Sequence, residues 1–189
     1  MTALDTQVTI PGYRAGTWVI DPTHSEIGFS IRHLMVSKVR GRFGTFQGSF
    51  VTADNLLESS VEASVELASI DTGNADRDAH VRSADFFDVD QHSTLEYRST
   101  GIRADGDGYI VDGELSLRGV TKPVPLHLEV NGFQANTPFG DSRVGFSATA
   151  EIDRRDFGVE FNAPLEGGGV TLGNKVQITL EIEAVLQDA

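Results

Sequence analysis

Apolar and polar residues alternate along most of this chain. Ile27, Phe29 and Ile31 interleave with Glu26, Gly28, Ser30 and Arg32, and Val61, Ala63, Val65 and Leu67 with Glu62, Ser64 and Glu66. Val124, Leu126, Leu128 and Val130 form a third such row, and Val144, Phe146, Ala148, Ala150 and Ile152 a fourth. The clearest is Val176, Ile178, Leu180, Ile182 and Ala184 against Gln177, Thr179, Glu181 and Glu183. A period of two marks strands with one face in a core and the other in water. Leu95–Ser99 and Tyr109–Leu117, with the turn Asp105-Gly106-Asp107-Gly108 between them, add two more strands. Between Phe43 and Phe46 the aromatic phase slips by one, which predicts a bulge or sharp bend near Gly44.

Eight or nine strands follow, several about ten residues long, joined by short turns. They predict an all-β fold, an antiparallel up-and-down, lipocalin-like β-barrel of about eight strands. A two-sheet sandwich is the alternative. Residues 1–15 read as a flexible N-terminal leader and residues 16–187 as one barrel domain.

One segment breaks the period. Asn74 to Ala84 reads as a helix packed on the barrel, with Asn74 as N-cap. Asp76 and His80, and Asp78 and Arg82, lie one helical turn apart and predict ion pairs on a solvated face. Phe86 and Phe87 follow the helix and are expected to anchor it at the barrel end as a plug or rim.

Several inward positions are small: Ala63, Gly113, Ala148, Ala150 and Ala184. An eight-stranded barrel is just wide enough to be filled by side chains or to hold one small ligand. Small inner residues favour an apolar lumen lined by Ile27, Phe29, Ile31, Leu115, Leu117, Phe146 and Leu180. A side-chain-filled barrel is the competing reading.

The chemistry-bearing residues point away from catalysis. His24 and Ser25 are neighbours on a strand and face opposite sides, so they do not make a nucleophile and its base. None of the five histidines has metal-ligand spacing with another, and the chain has no cysteine. No enzyme activity, metal or cofactor is expected. A lipophilic-substrate enzyme with His33 or His80 and an arginine at the barrel mouth is one alternative. A stress or interaction protein with a filled barrel is another.

A net charge of −13 and a pI near 4.6 argue against nucleic-acid partners. They also disfavour anionic membrane surfaces, unless the 15 cationic residues cluster. No apolar run approaches the roughly 18 residues of a membrane span, and the first residues lack a basic, apolar signal pattern. A cytoplasmic location is expected.

Three motifs carry a resemblance: Trp18-Val19-Ile20-Asp21-Pro22-Thr23-His24-Ser25-Glu26 running on to His33, Asn74 to Phe87, and Gly113 to Val124. In this order they resemble the YceI-like family of polyisoprenoid-binding proteins, over about residues 16–187. Arg155-Asp156-Phe157-Gly158 and the last strand fit too. The resemblance implies a hydrophobic tunnel for an isoprenoid or fatty-acid-like lipid, often in a homodimer. It implies lumen-lining roles for Phe29, Ile31, Leu115, Leu117 and Phe146. It further implies head-group contact for His33, Arg77 and Arg82, and buttressing by Asp78 and Asp85.

Overall fold

The computed structural model describes residues 10–187. Twelve strands are β1 (Gly16–Ile20), β2 (Glu26–His33), β3 (Ser37–Phe43), β4 (Phe46–Thr52), β5 (Ser60–Glu66), β6 (Ile70–Asp71), β7 (Thr94–Asp105), β8 (Gly108–Leu117), β9 (Val120–Pro123), β10 (Leu126–Gln134), β11 (Arg143–Asp153) and β12 (Leu172–Leu186). The helix α1 spans Ala75–Arg82. All pairings are antiparallel, and β1 pairs with both β4 and β12, which closes the sheet into an eight-stranded barrel and excludes the sandwich. The short β6 and β9 are additions to it.

The other ten segments make eight staves because two staves are bent. β1 and β2 both pair with β12, Ile20 with Ala184 and Glu26 with Glu181, so Asp21 to Ser25 bulges out between them. The Ser25 hydroxyl fills the gap in the ladder. It accepts from the Glu183 N–H at 2.9 Å and donates to the Glu183 carbonyl at 3.1 Å. β3 and β4 form the second bent stave. Its corner is at Gly44, whose N–H bonds Ser69 O, and the bend expected there from the aromatic phase is present.

Two apolar layers fill the ends. At one end Trp18 is 1% exposed, donates to Thr52 Oγ1 at 2.8 Å, and packs edge-on against Phe133. Tyr13 docks beside it, its ring 5.3 Å from Phe133 and its hydroxyl on Ala53 O. Tyr13 lies within the expected leader; residues 1–9 are outside the described part. At the other end Leu67, Ile70 and Phe157 are fully buried, with Phe43 and Leu117 beside them.

The helix sits over this second end. It is shorter than expected, eight residues, because Ser83 caps it by donating to His80 O at 2.6 Å. Asn74 is its N-cap, accepting from the Arg77 N–H at 2.9 Å. The two expected intrahelical ion pairs are not formed. Asp78 is buried and accepts instead from the Thr72 N–H and hydroxyl. Arg82 donates to the carbonyls of Ala68 and Ile70, and His80 bonds Asp85 at 2.8 Å. Unpaired carbonyls and a buried loop are better partners than a solvated neighbour worth a few tenths of a kcal/mol.

The β2–β3 hairpin turns through Leu34 (φ 50°) and Met35 (φ 61°), with the Val36 N–H on His33 O. Two successive positive φ values define a type I′ turn, which normally takes Asn and Gly. Bulky side chains in that region cost about 1–3 kcal/mol each.

Candidate ligand-binding site

A cavity of about 200 Å³ lies inside the barrel between the two end layers. Its wall is almost wholly apolar. Phe29 and Phe43 stand at the helix end, Phe50 and Phe146 towards the Trp18 end, with Val61, Leu95, Leu115, Leu128, Ile178 and Leu180 between. Besides Tyr97, the polar members are Thr52, Ser59 and Ser60, gathered where β4 ends and β5 begins, next to Leu56. The Tyr97 hydroxyl is spent on the carbonyls of Val124 at 2.9 Å and Val111 at 3.2 Å. Burial pushes its pKa up, and it presents no free donor to the lumen.

The small inner residues explain why this space is modest. Ala63 and Ala148 do line it. Gly113 does not open space, because the Tyr97 ring lies across it and a Cβ there would collide with the Tyr97 hydroxyl. Gly41 is covered by the Phe29 ring in the same way, and Gly48 by Ile20, whose Cδ1 would sit 2.7 Å from an added Cβ. Ala184 is fully buried in the Trp18 layer. Large cross-strand neighbours thus occupy the space that Gly113, Gly41 and Gly48 vacate.

Comparison with known proteins agrees with this architecture. The profile of the YceI-like domain matches residues 18–184. UPF0312 protein plu2095 of Photorhabdus laumondii is 41% identical over 135 residues, 71% of this chain and 70% of that protein. UPF0312 protein VPA0850 of Vibrio parahaemolyticus is 36% identical over 189 residues, 97% of this chain and 95% of that protein. The chain belongs to the YceI-like family. Among solved structures, Burkholderia cenocepacia BcnA superposes with a TM-score of 0.75 at 20% identity, covering 87% of this chain and 98% of BcnA. A polyisoprenoid binding domain from Saccharophagus degradans superposes with a TM-score of 0.68 at 17% identity, over 92% of this chain and all of that domain. At such identities these two likenesses concern the fold.

The YceI-like barrel puts five of the seven expected lumen residues in the cavity wall: Ile27, Phe29, Leu115, Phe146 and Leu180. Leu117 is buried in the core beyond it. Ile31 has the inward parity of Phe29 but lies further along β2, beside a bulge in β12, at a shallow outer groove with Arg32 and Lys38. His33 ends β2, opposite Leu172 and Ser37. Arg77 donates to the Thr72 hydroxyl and carbonyl, both at 2.8 Å, and Arg82 is committed to carbonyls as above. Phe86 packs against His80 and Phe161, and Phe87 against Phe43. Phe87 is packed against the core and is not in the cavity wall.

Two polar clusters escaped the sequence reading. Arg154 is 4% exposed and donates to the carbonyls of Gly173, Val159 and Phe161 at 2.8–2.9 Å, tying β12 to the chain after β11. At the β1–β2 corner Arg143 pairs with Asp21 and Asp141, each at 3.0 Å, and with Glu183. The His24 hydrogen bond, then the Thr23 N–H and Arg143, hold the Asp21 carboxyl at about 2. Among the described residues, Asp21, His24 and Glu183 are the group with metal-ligand geometry. The Arg143 guanidinium already pairs with both of these carboxylates.

Proposed function

We propose that this protein binds one slender apolar chain, of the polyisoprenoid or fatty-acyl type, inside its barrel, and carries or stores it. The observation that carries the reading is the apolar-walled cavity inside the barrel. Filling an empty space of about 200 Å³ recovers up to about 5 kcal/mol at roughly 24 cal/mol per Å³. The volume lies below the roughly 300–1,000 Å³ of typical ligand pockets, so the part of a ligand held there is small. The fold-related domain from Saccharophagus degradans, itself called polyisoprenoid binding, supports the same class of ligand.

The role is non-catalytic in this reading. The Ser25 hydroxyl is committed to the β12 backbone, and His24 and His80 each rest on a carboxylate. A homodimeric state and a cytoplasmic location belong to the same proposal; sedimentation and cell fractionation check them. The direct test is thermal melting with added polyprenol, ubiquinone or long-chain fatty acid. A ligand at 100 times its Kd adds about 2.7 kcal/mol, or roughly 5–10 °C for a chain of this size. No shift with any of them, in protein stripped of lipid by organic solvent and refolded, would refute the reading.

A further inference from the structure

We infer that the tip of the β2–β3 hairpin is a docking element for an anionic lipid bilayer. The chain as a whole is strongly acidic, yet from Ile27 to Ala53 it contains no carboxylate at all. Four of its 15 cationic residues, Arg32, Lys38, Arg40 and Arg42, fall between positions 32 and 42. All four are exposed, and only Arg42 has an ion-pair partner among the described residues, Asp71.

Apolar side chains crown these charges. Val36 is 82% exposed, Met35 55% and Leu34 40%. Val170, also exposed, lies on the adjoining segment, whose Thr171 carbonyl accepts from the Leu34 N–H at 2.8 Å. That segment carries one carboxylate, Glu166. Arg32 and Lys38 are opposite each other on the two strands, in a groove where Asp153 and Glu151 are already paired with Arg155 and Lys175. The groove thus keeps the Arg32 and Lys38 charges unspent.

An apolar wedge rimmed by cations is the pattern that enters the interface of an anionic membrane. The turn holds Leu34 and Met35 outward with both in the left-handed region, where neither has a conformational reason to be. The remaining acidity does not forbid docking. The carboxylates beside these strands, Asp71, Glu151 and Asp153, are already paired with Arg42, Lys175 and Arg155, and exposed charges farther off than a Debye length of about 8 Å are largely screened. The same two strands carry Phe29 and Phe43 of the cavity wall, so docking here links the bilayer to the lumen. The inference does not depend on what the cavity holds.

The test is flotation of the full chain with phosphatidylcholine vesicles, with and without a quarter phosphatidylglycerol, at low and high salt. The protein should float only with the anionic vesicles, and less at high salt. Val36→Glu should abolish flotation. The Lys38→Gln, Arg40→Gln double variant should weaken partitioning roughly thirtyfold, at about fivefold per cation. Both variants change exposed side chains, and melting curves should confirm unaltered folding. Failure of the wild type to bind anionic vesicles, or equal binding by both variants, overturns the inference. So does a wild-type dimer that Val36→Glu dissociates without any vesicle binding, which would make the tip a contact between copies.

Discussion

Ala148→Leu separates a hollow barrel from a filled one by the sign of its effect. Ala148 lies mid-way along β11, between Leu128 on β10 and Leu180 on β12, and its methyl group faces the cavity. Leucine adds three carbons, worth about 2.4 kcal/mol at roughly 0.8 kcal/mol per buried CH₂. If the space is there, the ligand-free protein becomes more stable by about 2 kcal/mol, and its Tm rises by about 4–8 °C. A packed interior would be overfilled instead and lose about 1–3 kcal/mol. Urea unfolding of lipid-stripped protein measures this directly, with an unchanged m-value as the check that only stability moved. The same variant should lose the thermal shift given by polyprenol or ubiquinone. A destabilised Ala148→Leu protein that still binds its ligand would refute the placement of the site.

Three further outcomes follow. Gly113→Ala should destabilise by about 1–3 kcal/mol, because its Cβ meets the Tyr97 hydroxyl. In a Tyr97→Leu background the same change should cost less, leaving the contact with the Arg98 carbonyl at 2.8 Å, and additive effects in the double-mutant cycle would contradict the Tyr97 contact. Arg154→Met should cost about 3 kcal/mol or more by stranding three carbonyls; a Tm within a degree or two of wild type would count against its role. Asp21 and Asp153, the latter held low by Arg155, both titrate at about 2 in the fold. Carboxyls depressed by folding stabilise above their unfolded value near 3.9 and lose that contribution as pH falls towards 2. Stability should therefore drop between about pH 4 and pH 2, less steeply in Asp21→Asn, and a flat profile there would exclude the network.

The barrel was legible in the period of two, and the aromatic slip at Gly44 marked the corner between β3 and β4. The partner corner left no such trace. Asp21 to Ser25 interrupts one stave, but the Ser25 hydroxyl completes the ladder, so two short strands act as one. Parity identified the inner face and not the height along it. Phe29 and Leu115 reach the cavity, while Ile31 and Leu117, two residues further on, pass beyond its end. Smallness was a poor guide to space, because Tyr97 and Phe29 lie across Gly113 and Gly41. The charges of α1 were visible but their partners were not. Arg77, Asp78 and Arg82 are consumed in fixing the helix to the loop before it, through backbone groups that sequence spacing does not reveal.

The central claim is that the barrel interior accommodates one long apolar chain. Native mass spectrometry of the purified protein, followed by organic extraction and lipid identification, tests it most directly. The expected result is a single lipid of the isoprenoid or fatty-acyl class bound one per chain in the wild type and absent from Ala148→Leu. Bare wild-type protein that also takes up no added polyprenol, ubiquinone or fatty acid would contradict the account.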